Sequence, residues 1–148
     1  MNSVHLRFFL FYKNDSYHYS RYLVTARDDR NRNALETLIP TDPSIAVSSS
    51  NLVNHAVLAN RAHYFTFPSG VTATDGPATP ADYVVYDKKR AKELIDFVLR
   101  RNAYALREPL DEYERSEKAL EASFSYFETI YEYDGFVILK RKSGYPHP

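Results

Sequence analysis

Cysteine and tryptophan are both absent from this chain of 148 residues, and there is one methionine. The missing thiol removes disulfides, thiolate metal sites and cysteine nucleophiles together, and leaves either redox compartment open. Glycine is scarce, at four residues. None lies in residues 48–51, Ser-Ser-Ser-Asn, where a dinucleotide fold would need glycine to let a pyrophosphate approach the backbone. Net charge is missing too, because 19 Lys and Arg balance 19 Asp and Glu. No overall field therefore draws nucleic acid or an anionic membrane surface, and nucleic acid is not an expected partner. No apolar run reaches the roughly 18 residues that span a bilayer, and residues 4–12 are interrupted by His5 and Arg7. That segment is also short, aromatic and without a small-residue cleavage site, unlike a secretory signal. The chain as given reads as soluble, and Met1-Asn2-Ser3 fits a native start or the start of an excised piece equally.

What is present is aromatic and well patterned. The length fits one domain with its own hydrophobic core, divided into an N-terminal strand or arm (1–27), a core (28–142) and a short polar tail (143–148). Residues 4–12 favour a strand by composition, Asn14-Asp15-Ser16 a turn, and residues 17–24 a second strand or an extended arm. Asp28 or Asp29 can cap a helix running to about residue 39, with Ala34, Leu35, Leu38 and Ile39 on one face and Pro40 ending it. A strand then starts at Ile45.

After Ser50, residues 51–60 place Leu52, Ala56 and Ala59 on one helical stripe with Ser50 or Asn51 as cap, and strand content resumes over residues 63–67. Residues 69–80 hold two of the four glycines and two of the eight prolines, the composition of a surface loop. Tyr83 to Tyr86 is a continuous apolar run between Asp82 and Asp87, as in a strand covered on both faces. Asp87 is then the cap of a helix whose Ala91, Leu94, Ile95, Val98 and Leu99 form one stripe, with Lys92 and Asp96 outward. A further helix over residues 110–126 points Tyr113, Leu120 and Phe124 inward and its charged Glu112, Glu114, Arg115, Glu117, Lys118 and Glu121 mostly outward. Asp134-Gly135 supplies the two positive-φ positions of a tight turn between residues 127–133 and 136–142, predicting a closing β-hairpin.

The expected fold is therefore a single α/β domain: a mixed sheet with helices on both faces, three-layered and Rossmann-like, with a C-terminal hairpin. In such sheets ligands sit beyond the carboxyl ends of strands, which directs attention to the junction after Ser48. Ser49, Ser50, Asn51, His55, Asn60 and Arg61 are its candidate ligand-binding residues. Helix-start amides, the hydroxyl of Ser49 or Ser50 and the Arg61 cation would suit a phosphate or carboxylate; Arg61 paired with a local carboxylate or carbonyl is the structural alternative. Ser48, Ser49 and Ser50 near His55 lack the Gly-x-Ser-x-Gly elbow of a hydrolase, so capping explains them better than nucleophilic catalysis. His5, His18, His55, His63 and His147 never fall at zinc-ligand spacing. Asp82 and Asp87, five apart on a strand, face opposite sides. No catalytic residue, metal or cofactor is expected.

Several stretches in order resemble a family of predicted polytopic membrane proteins of unknown function: Leu38-Ile39-Pro40, Ser44-Ile45-Ala46-Val47-Ser48, Asn51-Leu52-Val53-Asn54-His55 with Asn60-Arg61 and Phe67-Pro68, Ala81-Asp82-Tyr83-Val84-Val85-Tyr86-Asp87, and Asp134-Gly135-Phe136-Val137-Ile138-Leu139-Lys140-Arg141. The similarity covers roughly residues 30–141, with one departure at Asn54, where the family often has proline before the histidine. In that family a soluble α/β segment follows a many-helix membrane region distantly similar to GT-C-type glycosyltransferases that use lipid-linked sugars. The resemblance implies a noncatalytic, extracytoplasmic accessory domain whose partner is the membrane-embedded part of the same protein, assisting recognition of a saccharide or lipid-linked sugar. The alternatives are a free-standing enzyme, cytoplasmic if the chain is complete, in which Arg61 holds a phosphorylated small molecule and His55 acts as base, or a structural protein-interaction module.

Overall fold

In the computed structural model the described residues are 24–50, 58, 63–69, 71, 81–101 and 107–144. The strand and turn expected within residues 1–23, most of the helix expected over 51–60 and most of the 69–80 loop lie outside them.

Thr25 starts the first helix, α1 (Ala26–Leu38): its hydroxyl accepts from the Asp28 amide while the Asp28 carboxylate accepts from the Thr25 amide, a reciprocal capping box. The expected cap at Asp28 or Asp29 is thus corrected to Thr25. An acidic first turn suits both positions, but only a residue with extended backbone ahead of the helix can be the cap. Ile39 leaves the helix in extended conformation, and Pro40 has no amide to continue it. Ala34, Leu35 and Ile39 are buried.

A five-stranded mixed sheet follows, in the order β2-β1-β3-β5-β4: β1 (Val47–Ser49), β2 (Tyr64–Thr66), β3 (Tyr83–Asp87), β4 (Phe127–Tyr133) and β5 (Phe136–Arg141). β1 runs parallel to both β2 and β3, whereas β5 is antiparallel to β3 and to β4. β1 is shorter than expected; ahead of it Ala46 is tied to Asp82 by amide-to-carboxylate and amide-to-carbonyl bonds rather than by a ladder.

The middle strand β3 is buried throughout. Its alternate residues serve two apolar clusters. Tyr83 and Val85 join Val47, Phe136 and Ile138 with Ala34, Leu35 and Ile39 around α1, and Leu58 packs there too. Val84 and Tyr86 join Val137, Leu139 and Phe127 with Ala91 of α2 (Lys88–Arg101) and Leu120 of α3 (Arg107–Ser123). Period-two alternation along one strand therefore divides the core between α1 and the α2/α3 pair.

Two expected inward faces are corrected. In α2, Ala91 and Ile95 are buried, but Leu94 and Leu99 are each 46% exposed and Phe97 is buried in their stead; the Val98 side chain lies outside the description. Phe124 is 38% exposed, because α3 stops at Ser123 and the chain turns before β4. Asp134 and Gly135, with φ of 46° and 79°, join β4 to β5. A Cβ on Gly135 would stand 3.1 Å from the Lys89 Cβ and amide nitrogen, so both backbone angle and space demand glycine. Between Thr129 and Tyr131 the register slips, which turns Ile130 and Tyr131 together onto the α1-side cluster.

Candidate functional site

Leu58, downstream of β1, packs with the α1 cluster, whereas α2, directly after β3, packs with the other. That divergence is the topological switch point where open α/β sheets place ligands. Ser48, Ser49 and Ser50 end β1 there, and all are buried. The Ser48 hydroxyl donates to the Ser69 carbonyl at 2.7 Å, and Ser49 reaches the Ser50 carbonyl only at 3.4 Å. The Ser50 amide donates to Val85 O at 3.0 Å, extending the parallel ladder by one step. Its hydroxyl, on a residue 6% exposed, is buried without a partner. An unmatched buried hydroxyl costs about 1–3 kcal/mol. Of the other sequence-derived candidates, Asn51, His55, Asn60 and Arg61 lie outside the described residues.

On the α1 side, Asp87 closes β3 and is 3% exposed. Arg27 of α1 grips it with two bonds, Nη1 to Oδ2 at 3.0 Å and Nη2 to Oδ1 at 2.8 Å, and places Nε 3.0 Å from Asp134. The bond to Asp87 raises the Arg27 pKa. Asp87 Oδ1 also accepts from the Arg90 amide at 3.0 Å, the capping role expected of it. Arg90 pairs in turn with Asp28. Burial opposes ionisation of Asp28, but hydrogen bonds from Thr25 and the charges of Arg90 and Arg27 outweigh it and hold the carboxyl below the usual range. The hydrogen bond from Lys89 leads the causes that lower Asp134. Every charge in this group has a protein partner, and the group clamps α1 to the end of β3 and to the β4–β5 turn.

The α2/α3 side is chemically different. Ser50 has the parity of Ser48 and continues the ladder beside Val85, so its side chain faces the same side of the sheet as Tyr86. The Tyr86 hydroxyl donates to Glu117 Oε1 at 2.9 Å, and the Phe67 ring lies 5.2 Å from the Tyr86 ring at 59°. Burial, then the charge and hydrogen bond of Glu117, push the Tyr86 phenol far above its ordinary pKa, so it stays a neutral donor. Tyr113, half-buried on α3, is raised by burial first and then by the charges of Glu117 and Asp96. Asp96, from α2, and Glu117, from α3, are half-buried. Among the described residues neither carboxylate forms an ion pair. Around the Tyr86 phenol this face thus combines the Phe67 ring, the Glu117 carboxylate and the Ser50 hydroxyl. No group of three or more metal-binding side chains occurs among the described residues.

The sequence reading assigned Glu117 and Asp96 outward. A usable signal existed for the first: Tyr113, Glu117 and Leu120 follow at offsets of four and seven, one helical stripe, so an inward Tyr113 carries Glu117 with it. For Asp96, the i−4 lysine suggested a solvated pair, yet Lys92 is exposed while Asp96 is half-buried and the two form no ion pair. No family model matches this chain, and no curated protein or solved structure matches it either. Among the described residues no helix is long and apolar enough to cross a membrane.

Proposed function

We propose that this chain is a noncatalytic recognition domain for a polyhydroxylated ligand, of saccharide or lipid-linked-sugar type. In this reading it is the extracytoplasmic accessory part of a polytopic membrane protein, its partner the membrane-embedded segment. Its frame is three-layered and Rossmann-like, closed by a C-terminal β-hairpin; the division of the core between alternate residues of β3 supports that layering.

The observation that carries the recognition reading is the Tyr86–Glu117 hydrogen bond set beside an unpartnered Ser50 hydroxyl at the sheet's switch point. Charged oxygens accept strongly from sugar hydroxyls, aromatic faces pack against their C–H edges, and the buried serine hydroxyl gains the bond it lacks. Membrane attachment and placement outside the cytoplasm rest on the sequence resemblance. The test is a thermal-shift screen against neutral sugars, amino sugars, sugar phosphates and polyprenyl-phosphate mimics, since a ligand selective for the native state raises the melting temperature. A hit abolished by Glu117→Ala and weakened by Ser50→Ala supports the reading. A screen without any shift, or a hit indifferent to both substitutions, removes it.

A further inference from the structure

Asp134 and Gly135, which make the tight turn of the closing hairpin, also form a dipeptide whose backbone can react with its own side chain. Glycine has no side chain to shield its amide nitrogen. An aspartate carboxyl lies one bond beyond Cβ, so attack of the following nitrogen on Cγ closes a five-membered ring. The Asp134 side chain is 42% exposed, and water reaches it.

The fold opposes that attack at two levels. Asp134 Oδ2 accepts from Lys89 Nζ at 2.6 Å and stands 3.0 Å from Arg27 Nε. Ring closure expels one carboxyl oxygen as water and therefore needs the neutral acid, whereas both cations hold the ionised form; the hydrogen bond from Lys89 leads the causes that lower its pKa. The main chain is held as well. The Asp134 carbonyl accepts from Arg27 Nη2 at 2.9 Å, and the Gly135 carbonyl accepts from the Lys88 amide at 2.8 Å. Turning the Gly135 nitrogen onto Cγ strains or breaks these bonds.

We propose that Asp134 is a site of spontaneous covalent modification, isomerising to isoaspartate through a succinimide, and that Lys89 and Arg27 hold the reaction back while α1 is docked. The Gly135 nitrogen bonds to Asp134 Cγ, and its proton leaves with the carboxyl hydroxyl as water. Water then returns at the main-chain carbonyl of the ring. The bond from that carbonyl to nitrogen breaks, which leaves a carboxylate on Cα and a chain that runs through Cγ. Composition is unchanged overall, but the turn is longer by one backbone atom and the oxygens held by Arg27 and Lys89 have moved. Because α1, the start of α2 and the β4–β5 turn meet at this point, the product loosens the clamp.

The test is incubation of the full chain at pH 7, native and unfolded in urea. Isoaspartate is located by peptide mapping, which separates Asp134 from the other Asp-Gly pair, Asp75-Gly76. At Asp134 the native chain reacts at least about tenfold more slowly than the unfolded chain, the scale of the hydrogen bonds that must break. Lys89→Met raises the native rate about two- to fivefold, the scale of an exposed ion pair, and Lys89→Arg restores it. Lys92→Met, at an exposed position of α2, controls for net charge and leaves the rate unchanged. Asp134→Glu, which needs a six-membered ring, stays unmodified. Rates are compared below the melting transition of each variant, and the isomerised protein, separated by ion exchange, melts below the unmodified one. Absence of isoaspartate at Asp134 even in the unfolded chain overturns the site. Equal rates in the native and unfolded chains, or no effect of Lys89→Met, overturn the guarding role. An unchanged melting temperature after isomerisation overturns the link to the clamp.

Discussion

Replacing Asp87 by alanine is expected to destabilise this domain strongly, because Asp87 is the most buried carboxylate paired to a cation among the described residues. The perturbation removes a carboxylate 3% exposed that is held bidentately by Arg27, itself 14% exposed. Because both partners are withdrawn from water, solvent screening is slight. Breaking a buried pair from one side costs about 3–5 kcal/mol when the other charge is orphaned; here Arg27 keeps the exposed Asp134 as partner, so that figure is an upper bound. Loss of the bond from the Arg90 amide removes the α2 cap, normally worth about 1 kcal/mol, and this overlaps with the first term because the same two oxygens serve both. A net loss of up to about 5 kcal/mol corresponds to a fall of up to about 20 °C in melting temperature for a domain of this size. Urea denaturation of Asp87→Ala, Arg27→Met and the double variant supplies the cycle. The double variant is expected to be less destabilised than the sum of the singles, since removing both charges removes the unpaired one. A loss below about 1 kcal/mol for Asp87→Ala, or strict additivity, would refute the clamp.

Three further outcomes follow from the same geometry. Ser50→Ala is expected to be neutral or to stabilise by up to about 1 kcal/mol, because no existing hydrogen bond is lost; a clear drop in urea midpoint would mean that the hydroxyl has a partner after all. Gly135→Ala is expected to cost about 1–2 kcal/mol from its left-handed backbone alone, more if Lys89 cannot yield, and an unchanged melting temperature would show that the turn relaxes freely. Asp28 and Asp134 have folded-state pKa values lowered relative to the unfolded chain. Their contribution is complete above the ordinary carboxylate range and is lost as pH falls through the lowered values. Urea midpoints taken from pH 6 down to pH 2 should fall on the acid side, and Asp28→Asn should flatten that slope; an unaltered slope contradicts the pairing.

Local chemistry made much of this fold legible. Asp134-Gly135 announces two positive-φ residues because few other pairs tolerate them, and the structure has both. The run from Tyr83 to Tyr86 reads as a strand covered on both sides because no polar residue interrupts it, and its cap at Asp87 follows from a carboxylate preceding a helical stripe. The failures arise where a local rule meets a tertiary one. Asp28 looks like a cap and is instead the reciprocal partner of Thr25. Leu94, Leu99 and Phe124 carry apolar side chains on the expected faces, yet Phe97 takes a buried place in α2 and α3 ends before Phe124, so they stay half-exposed. Glu117 was hidden by its chemistry, since a glutamate among charges suggests solvent even when its helical offset from Tyr113 says otherwise. The Arg27–Asp87 clamp, joining residues sixty positions apart, has no signature in the sequence. Strand order β2-β1-β3-β5-β4 has none either, and it alone brings the end of β1 beside Tyr86.

The claim on which the functional account depends is that Ser50, Tyr86 and Glu117 line one ligand site. Titration of isotope-labelled protein with glucose, followed by amide and side-chain NMR shifts, tests it directly. The account predicts saturable shifts concentrated at Ser50, Tyr86 and Glu117, with the Arg27–Asp87 clamp undisturbed. Shifts confined to other regions, or none up to saturating sugar, would contradict it.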